Sequence, residues 1–598
     1  MTGSAELRVP SAELTRPNPN SALGARHSQL GTTYHEEEGL MKCLLYGALS
    51  AVALWAGLGC GIGAAAGPVR EAALPEPPRE WVDTAMPSSA GRTIHVPAGG
   101  DLQDALDEAR PGDVITLAAG AVYRGPFTLS NKKSGTGWIT IQTDALDKLP
   151  PPGTRVSPSQ ASLMPTLISR KSHGVVTADK GAHHYRFIGL EVRPEEGAYI
   201  YSLLWFGQNK ERSLEELPHH IVVDRCYLHG DPKKGSRRGV ALNGRHLAVI
   251  DSHLSDFKEV GADSQAIMGW AGSGPFKIVN NRLEAAAEPI NFGGGDPSIR
   301  DLVPSDIEIR HNHMTKPLSW KHGEPGYDGS SWAVKNLFEL KNARRVVIDG
   351  NVLEHNWEHA QNGFAVLFTV RNQDGTAPWS AIEDVRFTNN IVRHSGSGLN
   401  LIGHDDNHPP DRTVQTKRIL VKNNLWEDIG GTRWGGRGIL FQVLWGTSDV
   451  VIEDNTGMQT GSVIHSEGPP HTAFVFRRNV MPHNEWGIFG RDAGTGIRAL
   501  EAYFPGAVVT GNIFAGGDSL LYPSGNRFVD SAGDLLSTNA KAGNYRPAAS
   551  KQDGGVGEGE QAGVDISALC QALGPLRSLA GMCQTPVAEA QSRPSTER

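Results

Sequence analysis

The chain has 598 residues, which is enough for several ordinary domains or for one long repeat array. Gly and Pro together make up about 18% of it, above the usual ~12%, whereas the charged fraction is ordinary. The net charge of −8 excludes the basic footprint of a nucleic-acid-binding protein, so we expect no nucleic-acid partner.

The first 66 residues have the pattern of a leader. Residues 1–40 are polar without a hydrophobic period, and we expect them to be absent from the mature protein. Residues 41–66 begin with one Lys, continue with an apolar run and end in small residues, which is typical of a signal peptide. Alternatively, Cys60 is a lipidated first residue, and a lipid anchor would then be the membrane contact. Either reading predicts export, to the periplasm, the cell surface or the medium, with residues 67–92 as a linker.

Export also bears on the cysteines. Cys226, Cys570 and Cys583 lie beyond the leader, and the chain has no CxxC or Cys/His cluster, which argues against a zinc site. Cys570 and Cys583 are close enough in sequence to form a disulfide in an oxidising compartment, or they remain two free thiols.

The pattern at the start of the predicted fold is a strand, a short helix and a second strand. The helix covers Leu102 to Ala109 and places Leu102, Ala105, Leu106 and Ala109 on one face. We expect it to cap the open end of the structure that follows, as terminal units of repeat proteins do.

A short pattern then recurs: alternating apolar residues, an Asn, and an apolar pair, as in "FKIVNNRLE" and "VVIDGNVLE". The repeated asparagines are Asn281, Asn312, Asn351, Asn390, Asn424, Asn455, Asn479 and Asn512. Their spacings vary from 24 to 39 residues, which indicates a solenoid of strands joined by loops of different length. Asn tolerates left-handed backbone at a tight corner, and stacked Asn amides can hydrogen-bond from one coil to the next. Gly189, Arg225 and Ser252 hold the Asn position in weaker, earlier copies.

These features resemble the right-handed parallel β-helix superfamily that includes the pectate lyases. The resemblance is carried by "ARPGD", "LAAGAVYRGPF" and the Asn repeats, and it spans residues 93–545. It implies an all-β, single-stranded right-handed parallel β-helix (a β-solenoid) with an N-terminal capping helix. The Gly/Glu-rich remainder, 546–598, is predicted to be a C-terminal cap and a flexible tail.

A second strand precedes the Asn strand in each coil, and its alternation predicts which side chains face outward. In "KNLFELKN", Phe338 and Leu340 would point into the core, and Leu337, Glu339 and Lys341 outward. The same alternation on neighbouring coils turns three further residues outward, and two aspartates lie at the adjoining turns. These residues are Asn291, Arg371 and His404, and Asp296 and Asp405.

The order Asn, Glu, Lys, Arg on successive coils is similar to that in the chondroitinase B and alginate lyase family of β-helix enzymes. The resemblance implies that Asn291 and Glu339 hold Ca²⁺, that Lys341 is the base, and that Arg371 is the acid. In that family there are two glutamates and the lysine lies several residues further on. Here the second carboxylate must come from elsewhere, and Glu288 or Asp296 is the candidate.

Other residues offer alternatives. In "GHDDNHPPD", His404, Asp405 and Asp406 resemble the acid clusters of β-helix polysaccharide hydrolases, or they form a polar turn. Trp270 and Trp379 could stack on sugar faces, or pack under loops. Glu339 and Lys341 could equally be a surface ion pair.

The sequence therefore predicts an exported, monomeric, carbohydrate-active protein. The favoured function is a polysaccharide lyase that cleaves an acidic, uronic-acid polysaccharide by β-elimination, with Ca²⁺ as a possible cofactor. The alternatives are a glycoside hydrolase or uronate epimerase centred on His404, Asp405 and Asp406, and a non-catalytic glycan-binding surface protein. In this account Lys341, Arg371 and His404 are catalytic, and Asp405, Trp270 and Trp379 bind substrate.

Overall fold

A computed structural model describes residues 71–88, 90–409, 413–535 and 562–583. The predicted extension 1–40, the signal segment 41–66, Cys60 and much of the predicted tail lie outside these residues. Within them, no helix is both long and apolar enough to cross a membrane.

The described residues wind through repeated coils, and each coil contributes one strand to each of three sheets, A, B and C, in that order along the chain. Neighbouring strands are parallel throughout, except at one end of sheet C, where Gly494–Thr495 pairs antiparallel with Ile488–Gly490.

Sheet A contains β1 (Thr93–Val96), β2 (Val114–Leu117), β5 (Ile139–Thr143), β8 (His183–Ile188), β11 (His219–Asp224), β14 (Arg245–Ile250), β17 (Phe276–Val279), β20 (Ser305–Arg310), β23 (Ala343–Asp349), β26 (Ile382–Thr388), β29 (Lys417–Lys422), β32 (Ser448–Glu453), β35 (Thr472–Arg477) and β39 (Val508–Thr510). Sheet B contains β3 (Val122–Arg124), β6 (Thr166–Ser169), β9 (Glu191–Pro194), β12 (Tyr227–His229), β15 (His253–Phe257), β18 (Arg282–Ala285), β21 (His313–Thr315), β24 (Val352–Asn356), β27 (Ile391–Ser395), β30 (Leu425–Ile429), β33 (Thr456–Gln459), β36 (Val480–Pro482), β40 (Ile513–Ala515) and β41 (Arg527–Val529). Sheet C contains β4 (Phe127–Leu129), β7 (Val176–Ala178), β10 (Ser202–Phe206), β13 (Arg238–Leu242), β16 (Gln265–Gly269), β19 (Glu288–Phe292), β22 (Phe338–Leu340), β25 (Phe364–Thr369), β28 (Ser397–Ile402), β31 (Phe441–Leu444), β34 (Ile464–Glu467), β37 (Ile488–Gly490) and β38 (Gly494–Thr495).

In the described part of the chain, five short α-helices accompany the sheets. They are α1 (Leu102–Glu108), α2 (Gly431–Trp434), α3 (Ile497–Tyr503), α4 (Ala532–Leu535) and α5 (Ile566–Ala572). The side chain of Asp101 caps α1 by accepting hydrogen bonds from the N–H groups of Gln103 and Asp104. Leu102, Ala105 and Leu106 of α1 are buried in the main core, beside β1 and β4.

The core follows the predicted alternation on sheet C, except at the corner where the chain enters the sheet. Phe338 and Leu340 are fully buried inside the coil, level with Ile290 and Phe292 on the coil before. Leu337, which the alternation predicts to face outward, is also in the core. The strict alternation fails there because this position is the corner that leads into the sheet, and the equivalent Ala365 on the next coil is in the core as well.

The repeated asparagines form a buried ladder at the corner between sheets A and B. The Asn281 amide donates to Asn312 Oδ1 at 3.0 Å, and the Asn390 amide donates to Asn424 Oδ1 at 3.1 Å. Each Asn Oδ1 also accepts the backbone N–H of the preceding ladder residue, so these buried groups are satisfied.

Two details of the predicted corner are wrong. The left-handed backbone belongs to the residue before each ladder Asn, such as Asn280 (φ 58°) and Asn389 (φ 54°). Consequently Arg225 (φ 49°) and Gly189 occupy this turn position, and Cys226 takes the Asn position by donating its N–H to Ser252 Oγ at 3.0 Å. The turn needs positive φ one residue earlier than the sequence pattern suggests.

Terminal segments cover the outer faces of two sheets. Residues 71–88, predicted as a linker, lie along the outside of sheet A, where Ala72 packs on Leu420, Val451 and Val475. Residues 562–583 pack α5 against the outside of sheet B, and Cys570 and Cys583 are disulfide-bonded there. The described part of the predicted C-terminal cap therefore covers a lateral face.

Candidate functional site

The outward side chains of sheet C bring several predicted site residues together. The register pairs Asn291 of β19 with Glu339 of β22, so these two side chains are neighbours on adjacent coils. Lys341 follows β22 directly, and the Arg371 N–H donates to the Lys341 carbonyl at 2.9 Å. Asn291, Glu339, Lys341 and Arg371 thus follow one another over three successive coils.

Glu339 lies at the centre of this group and is only 1% exposed. Its carboxylate accepts hydrogen bonds from Asn336 Nδ2 and Thr369 Oγ1, both at 3.2 Å. The Lys341 ammonium lies 3.5 Å from Glu339 Oε1, and the Lys341 side chain is 14% exposed. Lys341 is therefore the member of this pair that reaches solvent.

Glu288, on β19, supplies a second buried carboxyl group. It is fully buried, and its Oε2 accepts a hydrogen bond from Gln265 Nε2 at 2.7 Å. Burial, together with the nearby carboxylate of Asp263, raises the pKa of Glu288 to about 7. Glu339 raises this pKa further, which indicates that the two glutamates share one electrostatic environment.

Lys335, to which the sequence pattern assigns no role, completes this group. Lys335 Nζ binds Asp263 Oδ1 at 2.6 Å. Burial opposes its charge, but Glu288 and Asp263 hold the pKa of Lys335 above its usual value. Lys335 therefore remains positively charged and offsets part of the negative charge of the carboxyl cluster.

Arg371 has different partners from Asn291, Glu339 and Lys341. Its NH1 binds Asp405 Oδ1 at 2.6 Å and also binds Asp406. Burial lowers its pKa, but Asp406 and Asp405 more than compensate, so the pKa of Arg371 is raised. Asp405 also accepts the N–H groups of Asn372 and Asn407, and half-buried His404 precedes it at the end of β28.

Asp296 and Trp379 lie together in the loops that lead from sheet C to sheet A. Both line a cavity of about 730 Å³, whose lining also includes Arg212 and Arg300. Asp296 Oδ2 accepts hydrogen bonds from the N–H and the hydroxyl of Thr376, at 2.7 and 2.8 Å. Of the two candidates for the second carboxylate, Glu288 rather than Asp296 shares the sheet face with Glu339.

A buried arginine, Arg238, packs between two half-buried aromatic rings beside Gln265. The Arg238 guanidinium lies 5.3 Å from the Trp270 ring centroid and 4.9 Å from that of Tyr201. Arg238 Nε donates to Gln265 Oε1 at 2.8 Å and so connects these rings to Glu288. Trp270, a predicted sugar-binding residue, is half-buried here.

Glycines let a loop approach the lysine closely. Gly293 has φ 98°, and a Cβ added there would lie 2.8 Å from Lys341 Cβ and 2.5 Å from the Asn342 nitrogen. A side chain at position 293 would therefore displace Lys341 or its backbone.

The oxygen atoms of the cluster fit a hard divalent cation. Among the described residues, buried Glu288 Oε1, Asn291 Oδ1 and Asn336 Oδ1 have no hydrogen-bond partner. Carboxylate and amide oxygens are the ligands that Ca²⁺ prefers, and the Glu339 carboxylate lies beside them. The Lys335 ammonium, which is also attracted to Glu288, would compete with a bound cation for this carboxylate.

Sequence reasoning missed Lys335, Asp263, Gln265 and Asn336 as members of the site. Lys335 and Asp263 lie in loops between sheets B and C, where period-two alternation carries no information. Lys316 was missed as well. It is fully buried, donates to the carbonyls of Asn336, Ala285 and Ala287, and has a pKa that burial lowers to about 7.

No protein-family model matches the chain, and no curated protein matches it. Among solved structures, a mannuronic acid specific polysaccharide family 6 lyase from human gut microbiota is 12% identical, with a TM-score of 0.47 over 75% of this chain and 93% of that one. The PL6 family alginate lyase AlyGC is 15% identical, with a TM-score of 0.48, and the alignment covers 79% of this chain and 57% of that one. A tailspike protein of E. coli bacteriophage HK620, solved with a pentasaccharide, is 12% identical, with a TM-score of 0.40 over 74% of this chain and 66% of that one.

At these identities the similarity concerns the fold. The three parallel sheets define the chain as a right-handed parallel β-helix protein, as the sequence predicts. The fold alone does not define an activity, because β-helices carry several unrelated ones.

Proposed function

We propose that this protein is an exported polysaccharide lyase that cleaves an acidic, uronic-acid polysaccharide by β-elimination. The observation that carries the proposal is the arrangement of Lys341 at the edge of a buried carboxyl and amide cluster. Lys341 is next to Glu339, and Asn291 and Glu288 lie on the adjacent strand. Arg212 and Arg300, in the nearby cavity lining, could bind further uronate carboxylates.

The chemistry assigns a role to each side chain. In β-elimination a base takes the C5 proton of the uronate, the C4–O bond breaks, a C4–C5 double bond forms, and the leaving oxygen gains a proton. Lys341, when neutral, takes the C5 proton, because it is the member of the pair that reaches solvent. Arg371, one coil further on, donates a hydrogen bond to the leaving oxygen, which takes its proton from the Lys341 ammonium formed in the first step. Ca²⁺, held by Glu288, Asn291 and Glu339, would neutralise the C5 carboxylate and acidify the C5 proton.

The contacts of Asp405 favour this reaction over glycoside hydrolysis. A hydrolase needs one carboxyl group as acid and a separate one as base or nucleophile. Asp405 is buried and bonded to Arg371, Asn372 and Asn407, and Asp406 binds the same guanidinium. Both carboxylates are therefore committed to holding Arg371.

A substrate panel tests the proposal. The purified protein is incubated with alginate, pectate and glycosaminoglycans, and product is followed by the ultraviolet absorbance of the unsaturated uronate. The expected result is an increase with one acidic polysaccharide. New reducing ends without this absorbance would support hydrolysis instead, and binding on a glycan array without cleavage would support a non-catalytic protein.

Lys341→Ala is the variant that tests the site. We expect it to lower the elimination rate by about 10²–10⁴-fold while leaving the melting temperature unchanged. Lys417→Ala, on sheet A, removes a lysine from a different face and should keep full activity. An active Lys341→Ala protein would remove Lys341 from the mechanism.

The calcium role has a separate readout. Ca²⁺ should raise the melting temperature of the chelator-treated wild type, because it binds the folded cluster and not the unfolded chain. Glu339→Gln should abolish this shift. If Ca²⁺ leaves the melting temperature of the wild type unchanged, the cluster does not bind Ca²⁺, and a cationic side chain must neutralise the C5 carboxylate instead.

A further inference from the structure

Five histidines cluster on the outer face of sheet A, away from the candidate site on sheet C. They come from three consecutive strands of the sheet: His183 and His184 on β8, His219 and His220 on β11, and His246 on β14. All five are half-buried. The proposed lyase chemistry does not involve them.

The rings form two parallel stacks because the strands are in register. His183 pairs with His219 along the sheet, and their rings stack at 4.9 Å. His184, His220 and His246 all have φ between 53° and 59°, which turns their side chains into a second stack, with centroids 4.5 and 4.4 Å apart. Stacks this close disfavour protonation, since neighbouring imidazolium rings would repel each other.

The two stacks meet through their Nδ1 atoms. His183 Nδ1 lies 2.8 Å from His184 Nδ1, and His219 Nδ1 lies 2.8 Å from His220 Nδ1. Two nitrogens bound at about 2.0–2.1 Å to one metal ion, at right angles, are about 2.9 Å apart. Each pair is joined by a hydrogen bond between its Nδ1 atoms, and this separation is also that of two neighbouring metal ligands, so a bound ion would replace the shared proton.

Three of the rings come close enough for one ion. One ligand nitrogen each from His184, His219 and His220 lies within 4.8 Å of the other two. Burial, with the charge of Arg245, lowers the pKa of His219 to about 3, and burial with the charge of His246 lowers that of His220 to about 4. Both rings are neutral near pH 7 and so have a lone pair for a metal.

Two charged side chains near the histidines would act on a bound cation: one would repel it and the other would attract it. Arg245 continues the first stack on the third coil and adds a positive charge, whereas Glu80, on the segment outside sheet A, lies 3.6 Å from His246. The Trp138 ring packs edge-on against His184 at 5.2 Å and limits its rotation.

A second group, Glu354, His355 and His394, has its ligand atoms equally close together, but residues outside the group bind Glu354 and His394. The Glu354 carboxylate accepts from His313 at 2.7 Å and from Arg393 at 2.6 Å, and His394 Nδ1 binds Asp428 at 2.8 Å. Glu354, His355 and His394 therefore serve as a control group for metal binding by the histidines on sheet A.

We propose that His184, His219 and His220 form a binding site for one divalent transition-metal ion of the kind that prefers imidazole, namely Cu²⁺, Zn²⁺ or Ni²⁺. His183 extends the ligand set of the first coil. The site is distinct in chemistry from the oxygen-lined cluster on sheet C, because imidazole nitrogens select transition metals over Ca²⁺.

The test is copper binding to the full-length chain, purified without a polyhistidine tag and with Ca²⁺ in excess to occupy oxygen-donor sites. Titration calorimetry should give one tight equivalent of Cu²⁺, and electron paramagnetic resonance should show hyperfine coupling to several imidazole nitrogens. If the wild-type protein does not bind Cu²⁺ tightly, or if its spectrum shows no nitrogen coupling, the proposal is wrong.

Variants locate the ion. His219→Gln combined with His220→Gln should weaken Cu²⁺ binding by more than about tenfold, and His184→Gln alone should change the nitrogen hyperfine pattern. His394→Gln, in the comparison group, should leave both readouts unchanged. Equal affinity in the wild type and the double variant would place the copper elsewhere, and His184→Gln decides the matter if the double variant does not fold.

Discussion

Glu288 is a carboxyl group whose environment conflicts with its charge. It is fully buried, and one of its oxygens, Oε1, has no hydrogen-bond partner among the described residues. Burial and the neighbouring Asp263 raise its pKa from 4.5 to about 7. Such a group reduces stability when ionised, and it is the kind of ligand that a bound cation would stabilise.

The raised pKa predicts how stability depends on pH. The folded state binds the Glu288 proton more tightly than the unfolded chain, so its stabilising contribution is complete below about pH 4.5 and is lost as the pH rises to about 7. Without Ca²⁺, the free energy of unfolding of the wild type should therefore fall relative to that of Glu288→Gln over this range, by up to about 3 kcal/mol. Urea denaturation at several pH values measures this.

Glu501→Gln, at an exposed position, is the control and should follow the wild type at every pH. Parallel curves for wild type and Glu288→Gln would mean that Glu288 stays ionised in the folded protein, paired more strongly with Lys335 than its burial suggests.

At the scale of elements, the segment 71–88 lies along sheet A because the spacing of every third residue in it matches the spacing of every second strand in the sheet. Ala72, Pro75 and Pro78 are buried, and the N–H groups of Ala73, Glu76 and Arg79 donate to Asp449, Asp384 and Asp306. Three residues of a polyproline II helix rise about 9.3 Å, and two coils of the solenoid rise about 9.6 Å. These aspartates lie on every second strand of sheet A, so each third residue meets the next carboxylate.

Glu76→Pro tests this match. Proline at this position removes the N–H that donates to Asp384 Oδ1 at 3.0 Å. We expect it to be about 1–2 kcal/mol less stable than Glu76→Ala, which keeps the N–H and also loses the ion pair with Arg79. Thermal unfolding of the two variants measures the difference. Equal stability would show that packing of the prolines alone holds the segment in place.

At the scale of the whole molecule, the three sheets have different surroundings. The segment 71–88 covers part of the outside of sheet A, and α5 with its disulfide covers part of the outside of sheet B. The outer face of sheet C carries charged and amide side chains instead, between the loops that contain Asp296 and Trp379 on one side and Lys335 on the other. Within the described residues, the candidate site therefore lies on the face that neither of these two segments covers.

The site was predictable as far as it lies on strands. The alternation of "KNLFELKN" and its neighbours placed Phe338 and Leu340 inside, and it placed Glu339 beside Asn291. It failed at Leu337, where a corner breaks the alternation, and it could not find Lys335 or Asp263, whose loops have no period. Nor could it show that Arg371 is held by Asp405 and Asp406, since these partners depend on how a loop folds back.

The sequence by itself determined the coil, because a β-helix is built from local repeats whose apolar alternation and Asn corners are visible in short stretches. The Asn ladder, the core and the order of the outward residues all follow from that periodicity. Only the tertiary structure decided which carboxylate joins Glu339, that residues 71–88 lie on sheet A, and that five histidines form stacks. These depend on contacts between residues far apart in sequence and on loop conformation, for which no repeat provides a register.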